Sequence, residues 1–152
     1  MNQKHKQFML ESNRIEGEYR INPGDINAIH YAINMPVMLR LDELLHLHSL
    51  LGSYLNKSWV GKFRVINVKV GNFIPVSHQH IQLAMEEYIK DFPMLDSWSA
   101  HNKFEKIHPF QDLNGRVGRL LWLNKAIDEG YDFSIPFLQA FYYQTLSQYE
   151  RR

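Results

Sequence analysis

At 152 residues the chain is expected to form a single domain, 1–152, long enough to bury roughly 68–70% of its unfolded surface around one core. Its 45% hydrophobic and 22% charged residues exclude a disordered polymer, and a formal net charge of +1 offers no broad basic field for nucleic acid, so any cationic work must be local. The absence of cysteine excludes disulfides and thiolate chemistry.

The opening stretch MNQKHKQFMLES is too poor in apolar residues for a signal segment, and no apolar run approaches about 18 residues, so a cytoplasmic protein with no membrane partner is expected. Residues 5–16 have the composition of a helix ending at Gly17. Asp25 is a candidate N-cap for a second helix carrying Ile26, Ile29 and Ile33. A longer apolar face follows through Leu41, Leu44, Leu45, Leu47, Leu51 and Leu55.

The segment GKFRVINVKVGNFIP changes character. Phe63, Val65, Val68, Val70 and Ile74 favour strands, Gly61 and Pro75 bound them, and a short β-hairpin is predicted. Ser77 then offers an N-cap to a helix with Ile81, Ala84, Met85, Tyr88 and Ile89. Another helix from about Leu95 would bury Trp98, Phe104 and Ile107 and stop at Pro109. A further helix should open near Asn114-Gly115 and end at Gly130, and a last one should start at Ser134 with Pro136 in its first turn. The expected fold class is all-α with one β-hairpin.

Between the helices lies KIHPFQDLNGRVGRLLWL, which sets a histidine, a carboxylate, an amide and two arginines among apolar residues. A helix opening at Asn114 would aim unpaired N–H groups at whatever sits before it, a ready anion site. Arg116 and Arg119, spaced i and i+3, reach from one side of that first turn, and guanidinium forks match phosphate oxygens. Asp112 would repel a polyphosphate unless a divalent cation stood between them, and one carboxylate plus phosphate oxygens is a common way to hold Mg²⁺. His108 titrates near neutrality and suits proton removal from an attacking hydroxyl. Together these point to phosphoryl or nucleotidyl transfer. Singly, His-Pro is also a common helix stop and Asn-Gly a common turn.

As a set, His108, Phe110, Asp112, Asn114, Gly115, Arg116 and Arg119 resemble the Fic family motif, histidine-x-phenylalanine-x-acid-glycine-asparagine-glycine-arginine-x-x-arginine. The resemblance extends to GKFR and the following strands, similar to the family's flap hairpin, to Pro75 and the helix after it, and to Tyr142-Tyr143 near the domain's end. It implies a Fic-type helical domain that transfers AMP from ATP to a hydroxyl side chain of a target protein, pyrophosphate leaving. By residue, it implies His108 as general base, Asp112 as Mg²⁺ ligand and Phe110 as buried anchor. The Asn114 side chain and the backbone through Gly115 would hold phosphates, Arg116 and Arg119 the outer phosphates, and Tyr143 the adenine. The flap residues Arg64, Val65, Ile66, Asn67, Val68, Lys69 and Val70 would align the target by strand addition. Leu113 departs from the motif, standing where the family has glycine. A family branch that transfers phosphate has lysine where this chain has Gly115, so the glycine favours AMP.

Ser12-x-x-x-Glu16-Gly17 resembles the Fic inhibitory motif, which makes residues 5–17 an inhibitory helix in the same chain. The resemblance implies that Glu16 pairs with Arg119 and keeps the ATP γ-phosphate from settling productively. Three alternatives remain open at this level: removal of AMP from modified protein, a catalytically weak nucleotide- or protein-binding module, and a metal hydrolase built on His46, His48, His78, His80 and His101. The last lacks an HExxH pattern.

Overall fold

The computed structural model describes residues 3–36 and 38–130. Among the described residues six α-helices carry the fold: α1 (Gln3–Ile15), α2 (Asp25–Ile33), α3 (Leu41–Gly52), α4 (Ile81–Asp91), α5 (Ser97–Ile107) and α6 (Asn114–Asp128). Short 3-10 turns, His78–His80 and Phe92–Met94, flank α4. The predicted last helix, with Tyr142 and Tyr143, lies outside the described residues.

The helices form where one face repeats apolar residues at helical spacing, as Leu44, Leu47 and Leu51 do along α3. Helix α6 is different. Residues from Asn114 to Ala126 are buried on nearly every side of it, including Arg116, Arg119, Asn124 and Lys125, so it is the central rod of the core. It packs chiefly against α5 and also against α2, α1 and α3. Gly118 permits the close approach of α5: a β-carbon there would strike the Glu105 carboxylate and crowd the His101 ring.

Several local expectations are corrected. Asp25 is the first helical residue rather than the cap. Its carboxylate reaches back to accept from the Asn22 N–H and from Asn13 Nδ2, each at 2.8 Å, tying the start of α2 to the end of α1. Ser77 caps no helix with its side chain. Helix α5 starts two residues beyond Leu95, where the Asp96 carboxylate accepts from the Ser99 N–H at 2.7 Å.

The predicted hairpin does not form as paired strands. Among the described residues the only β feature is one isolated antiparallel bridge, Val70 with Phe73, closed by two backbone hydrogen bonds of 2.8 and 2.9 Å. Val65 and Ile74 point largely into solvent, so no buried face fixes a register. The Ile66 carbonyl is instead taken by Arg64, which donates to it at 2.7 Å and to Val76 O, just past Pro75, at 2.6 Å.

Candidate active site

The site is the junction of α5 and α6. Pro109 disfavours a helical conformation for the residue before it, and His108 ends α5 in the left-handed region at φ 51°. That turn aims the chain into the loop 109–113 and brings the imidazole into a pocket of about 220 Å³ between the loop, Val70 and the end of α1. Asp112, Asn114, Gly115, Arg116 and Arg119 line the same pocket.

The loop is pinned at several points. The Asn114 amide accepts from the Phe110 N–H at 2.9 Å and donates to the Phe110 carbonyl at 2.8 Å. Both of its polar atoms therefore shape the loop, whereas the sequence pointed to a phosphate contact. Phe110 is fully buried, as an anchor must be. Arg64, expected on a docking edge, is buried instead: its Nε donates to the His108 carbonyl at 2.7 Å and its own N–H to the Pro109 carbonyl at 2.9 Å.

Leu113 is the N-cap of α6 with φ 71° and ψ 12°, the left-handed conformation that glycine adopts without cost. Its side chain is buried in the core cluster. The Asp112 carboxylate accepts from the Leu113 N–H at 2.7 Å. Beyond it, the N–H groups of Asn114, Gly115 and Arg116 begin a helix and have no intrahelical carbonyl within reach.

Arg119 is wholly buried. Its Nε donates to Ser12 Oγ at 2.6 Å, and Nη2 donates to the Ser12 carbonyl at 3.0 Å and to Glu16 Oε1 at 2.9 Å. Glu16 thus leaves the end of α1 to reach the first turn of α6. A β-carbon at position 115 would fall 2.5 Å from Glu16 Oε1, which places the carboxylate directly against the Gly115 backbone. Gly17 follows at φ 81°, a backbone turn suited to glycine. Arg116 faces Glu18 at 3.9 Å and donates to Tyr54 Oη at 3.4 Å.

Burial holds His108 below the ordinary histidine range, opposed by its contact with the Glu105 backbone and by the Glu16 and Asp112 carboxylates, while the Arg64 guanidinium adds to the lowering. The ring is therefore neutral at pH 7, the form that takes up a proton. The Glu105 carboxylate lies 3.9 Å from its Nδ1. Among the described residues no cluster of three or more His, Asp, Glu or Cys could hold a metal by itself. Asp112 is a single carboxylate beside an anion-type helix terminus, a donor set that suits Mg²⁺ shared with phosphate oxygens.

The structure does not gather the other histidines into a centre. His48 and His101 are buried separately, on α3 and α5, and burial lowers each to about 4. Sequence reasoning missed Glu105 in the pocket wall, Tyr54 beside Arg116 and the buried His48 behind the loop. For His48 a signal existed, since it is a polar residue on the apolar stripe of Leu44, Leu47 and Leu51. Tyr143 lies outside the described residues, and no helix among those described is long and apolar enough to cross a membrane.

The chain is 34% identical over 92 residues to protein adenylyltransferase fic-1 of Caenorhabditis briggsae, covering 55% of this chain and 18% of that protein. It is 30% identical over 108 residues to protein adenylyltransferase Fic of Culex quinquefasciatus, covering 65% of this chain and 22% of the relative. The chain thus spans about a fifth of the length of these curated relatives. Among solved structures, Fic-1 from Caenorhabditis elegans superposes with a TM-score of 0.71 at 19% identity, over 96% of this chain and 55% of that one. A Fic domain containing signaling protein from Bacteroides thetaiotaomicron gives 0.66 at 20% identity, over 97% and 69%. These likenesses establish a shared fold. The sequence model of the Fic/DOC family matches residues 38–124, more than half of the chain and all of the motif from His108 to Arg119, so this protein belongs to the Fic/DOC family.

Proposed function

We propose that this domain transfers AMP from ATP to a hydroxyl side chain of a target protein and that its own α1 holds it inactive. The observation that carries the reading is one pocket in which a neutral histidine, a helix N-terminus and two arginines converge, with one arginine already held by Glu16. Family membership and relatives named protein adenylyltransferase support the same reaction.

In this reading His108 takes the proton of the target hydroxyl as its oxygen attacks the α-phosphorus of ATP. The bond from that phosphorus to the α–β bridging oxygen breaks, and pyrophosphate leaves. Arg116, Arg119 and the N–H groups of the first turn of α6, at Gly115 among others, hold phosphate oxygens. Asn114 fixes the loop, and Asp112 would hold Mg²⁺, which when bound neutralises phosphate charge. Tyr143 would serve the adenine. A target segment would dock along 64–70, where Val65 is 78% exposed and the backbone of Asn67, Val68 and Lys69 would serve strand addition, Val70 being already bridged to Phe73 and the Ile66 carbonyl held by Arg64.

Glu16 acts on this chemistry by competition. A charge-assisted hydrogen bond is worth about 1.5–3 kcal/mol, so occupation of Arg119 suppresses productive nucleotide binding roughly 10- to 100-fold. Its carboxylate also stands against Gly115, where an outer phosphate would sit. Because Glu16 lines the pocket together with His108, a second reading has the carboxylate orient a water for removal of AMP from modified protein.

The test uses Glu16→Gly with Mg²⁺ and ATP labelled at either the α- or the γ-phosphate. Label from the α position on protein, with pyrophosphate released, is the expected result. Protein labelled from the γ position would replace AMP transfer by phosphate transfer, and no label from either would overturn the transferase reading.

A further inference from the structure

We infer that His48, which lies outside the motif and does not line the pocket, is a positioning residue that fixes the peptide of Asp112 by tying it to the root of the 61–76 segment. The inference rests on the reading of Asp112 as the group that meets metal and phosphate.

The imidazole is wholly buried on α3 and bridges two backbones. The Gly61 N–H donates to Nδ1 at 2.9 Å. A backbone N–H can only donate, so Nδ1 carries the lone pair and the ring proton sits on Nε2. Nε2–H therefore donates to the Asp112 carbonyl at 3.0 Å. Below the ring lies Phe110, stacked with centroids 3.8 Å apart and planes 5° from parallel. Two hydrogen bonds and a stacked plane leave the ring one orientation and one tautomer.

The contact falls at a decisive place. The other loop pins act upstream or across the loop, Arg64 at His108 and Pro109 and Asn114 at Phe110. His48 holds the carbonyl of the peptide joining Asp112 to Leu113. That peptide precedes a residue in the left-handed region, and its N–H is already taken by the Asp112 carboxylate. If the peptide rotates, the carboxylate loses its anchor and its aim into the pocket. The other end of the bridge is Gly61, itself at φ 77°, where the 61–76 segment begins. One side chain thus joins the proposed target-docking segment to the proposed metal-binding loop.

Gln and Asn separate the two bonds. The terminal amide of Gln reaches the place of Nε2 and can donate to the Asp112 carbonyl, whereas the amide oxygen of Asn reaches the place of Nδ1 and can accept from Gly61. Phe keeps only the stack. In the full chain carrying Glu16→Gly, amide hydrogen exchange is measured for His48→Gln, His48→Asn and His48→Phe, together with ATP binding by calorimetry with and without Mg²⁺.

The expected pattern is crossed: Gly61 exchanges about tenfold faster in the Gln variant and not in the Asn variant, and Leu113 about tenfold faster in the Asn variant and not in the Gln variant. The gain in ATP affinity on adding Mg²⁺ falls about tenfold in Asn and Phe and stays within about threefold in Gln, while metal-free binding is unchanged. A ring that merely fills the core predicts equal behaviour of Gln and Asn, and that result, or an intact Mg²⁺ effect in Phe, overturns the inference. Should the Asn chain fail to fold, Gln against Phe decides it. Should neither parent nor variants bind ATP, the nucleotide reading fails, and the exchange pattern still decides the role of His48.

Discussion

Replacing Leu113 by glycine sets two effects of opposite sign against each other at the entrance of α6. The leucine sits at φ 71°, where a side chain costs about 1–2 kcal/mol that glycine does not incur. Against this, Leu113 is 5% exposed and belongs to the core cluster, and truncating a buried leucine costs about 2–5 kcal/mol. Glycine adds about 0.5–1 kcal/mol of chain entropy to the unfolded state. The loss of packing wins, and Leu113→Gly should be less stable than wild type by about 0.5–5 kcal/mol. Urea denaturation reads this as a lower midpoint at unchanged slope. A variant as stable as wild type, or more so, would refute the reasoning, because backbone strain would then outweigh the core contact. The result bears on the motif itself: a net loss identifies Leu113 as an adaptation in which the side chain of the N-cap fills the core while the backbone keeps the shape glycine would give.

Three other outcomes are expected. Asn114→Ala leaves the buried N–H and carbonyl of Phe110 without their partner and should cost about 2–4 kcal/mol, seen as a lower melting temperature; a loss below about 1 kcal/mol would remove the amide as the loop's main pin. His48 and His101 are both lowered to about 4 by burial, so above pH 6.5 they are neutral folded or unfolded and stability does not respond to them. As pH falls from 6.5 toward 4 the unfolded chain takes up protons that the native one refuses, and each histidine withdraws up to about 3 kcal/mol; a urea midpoint flat over that range would contradict their burial as neutral rings. Gly115→Ala should push Glu16 off Arg119, because the new β-carbon would lie 2.5 Å from Oε1 and 2.9 Å from Arg119 Nη1. Amide exchange in α1 should then rise about tenfold, and unchanged exchange would contradict the close packing of the carboxylate on the α6 turn.

Much of the helical frame was legible: α3 and α4 each bury one largely apolar side whose residues repeat at helical spacing, and α5 closes where Pro109 requires it. Helix α6 was legible at its ends through Asn114-Gly115 and Gly130, although its place at the centre of the core was not, since polar residues such as Arg119 and Asn124 point inward to partners far away in the chain. The hairpin prediction failed for a physical reason. β-branched composition favours extended backbone, yet a ladder also needs a buried face, and Val65 and Ile74 have none. At the site, residue types in tight spacing identified His108, Asp112 and Arg119. The supports behind them were less legible: Arg64 meets the His108 carbonyl from 44 residues away and His48 the Asp112 carbonyl from 64, and a polar residue on the apolar stripe of α3 marks His48 as unusual without naming its partner.

The most direct measurement of the central claim is transfer of label from α-labelled ATP, with Mg²⁺ and cell lysate, by wild type, Glu16→Gly and the Glu16→Gly/His108→Ala double variant. The account predicts protein labelling by Glu16→Gly at least about tenfold above wild type and none by the double variant. Equal labelling by wild type and Glu16→Gly would contradict the inhibitory role of α1, and labelling that survives His108→Ala would contradict His108 as the base.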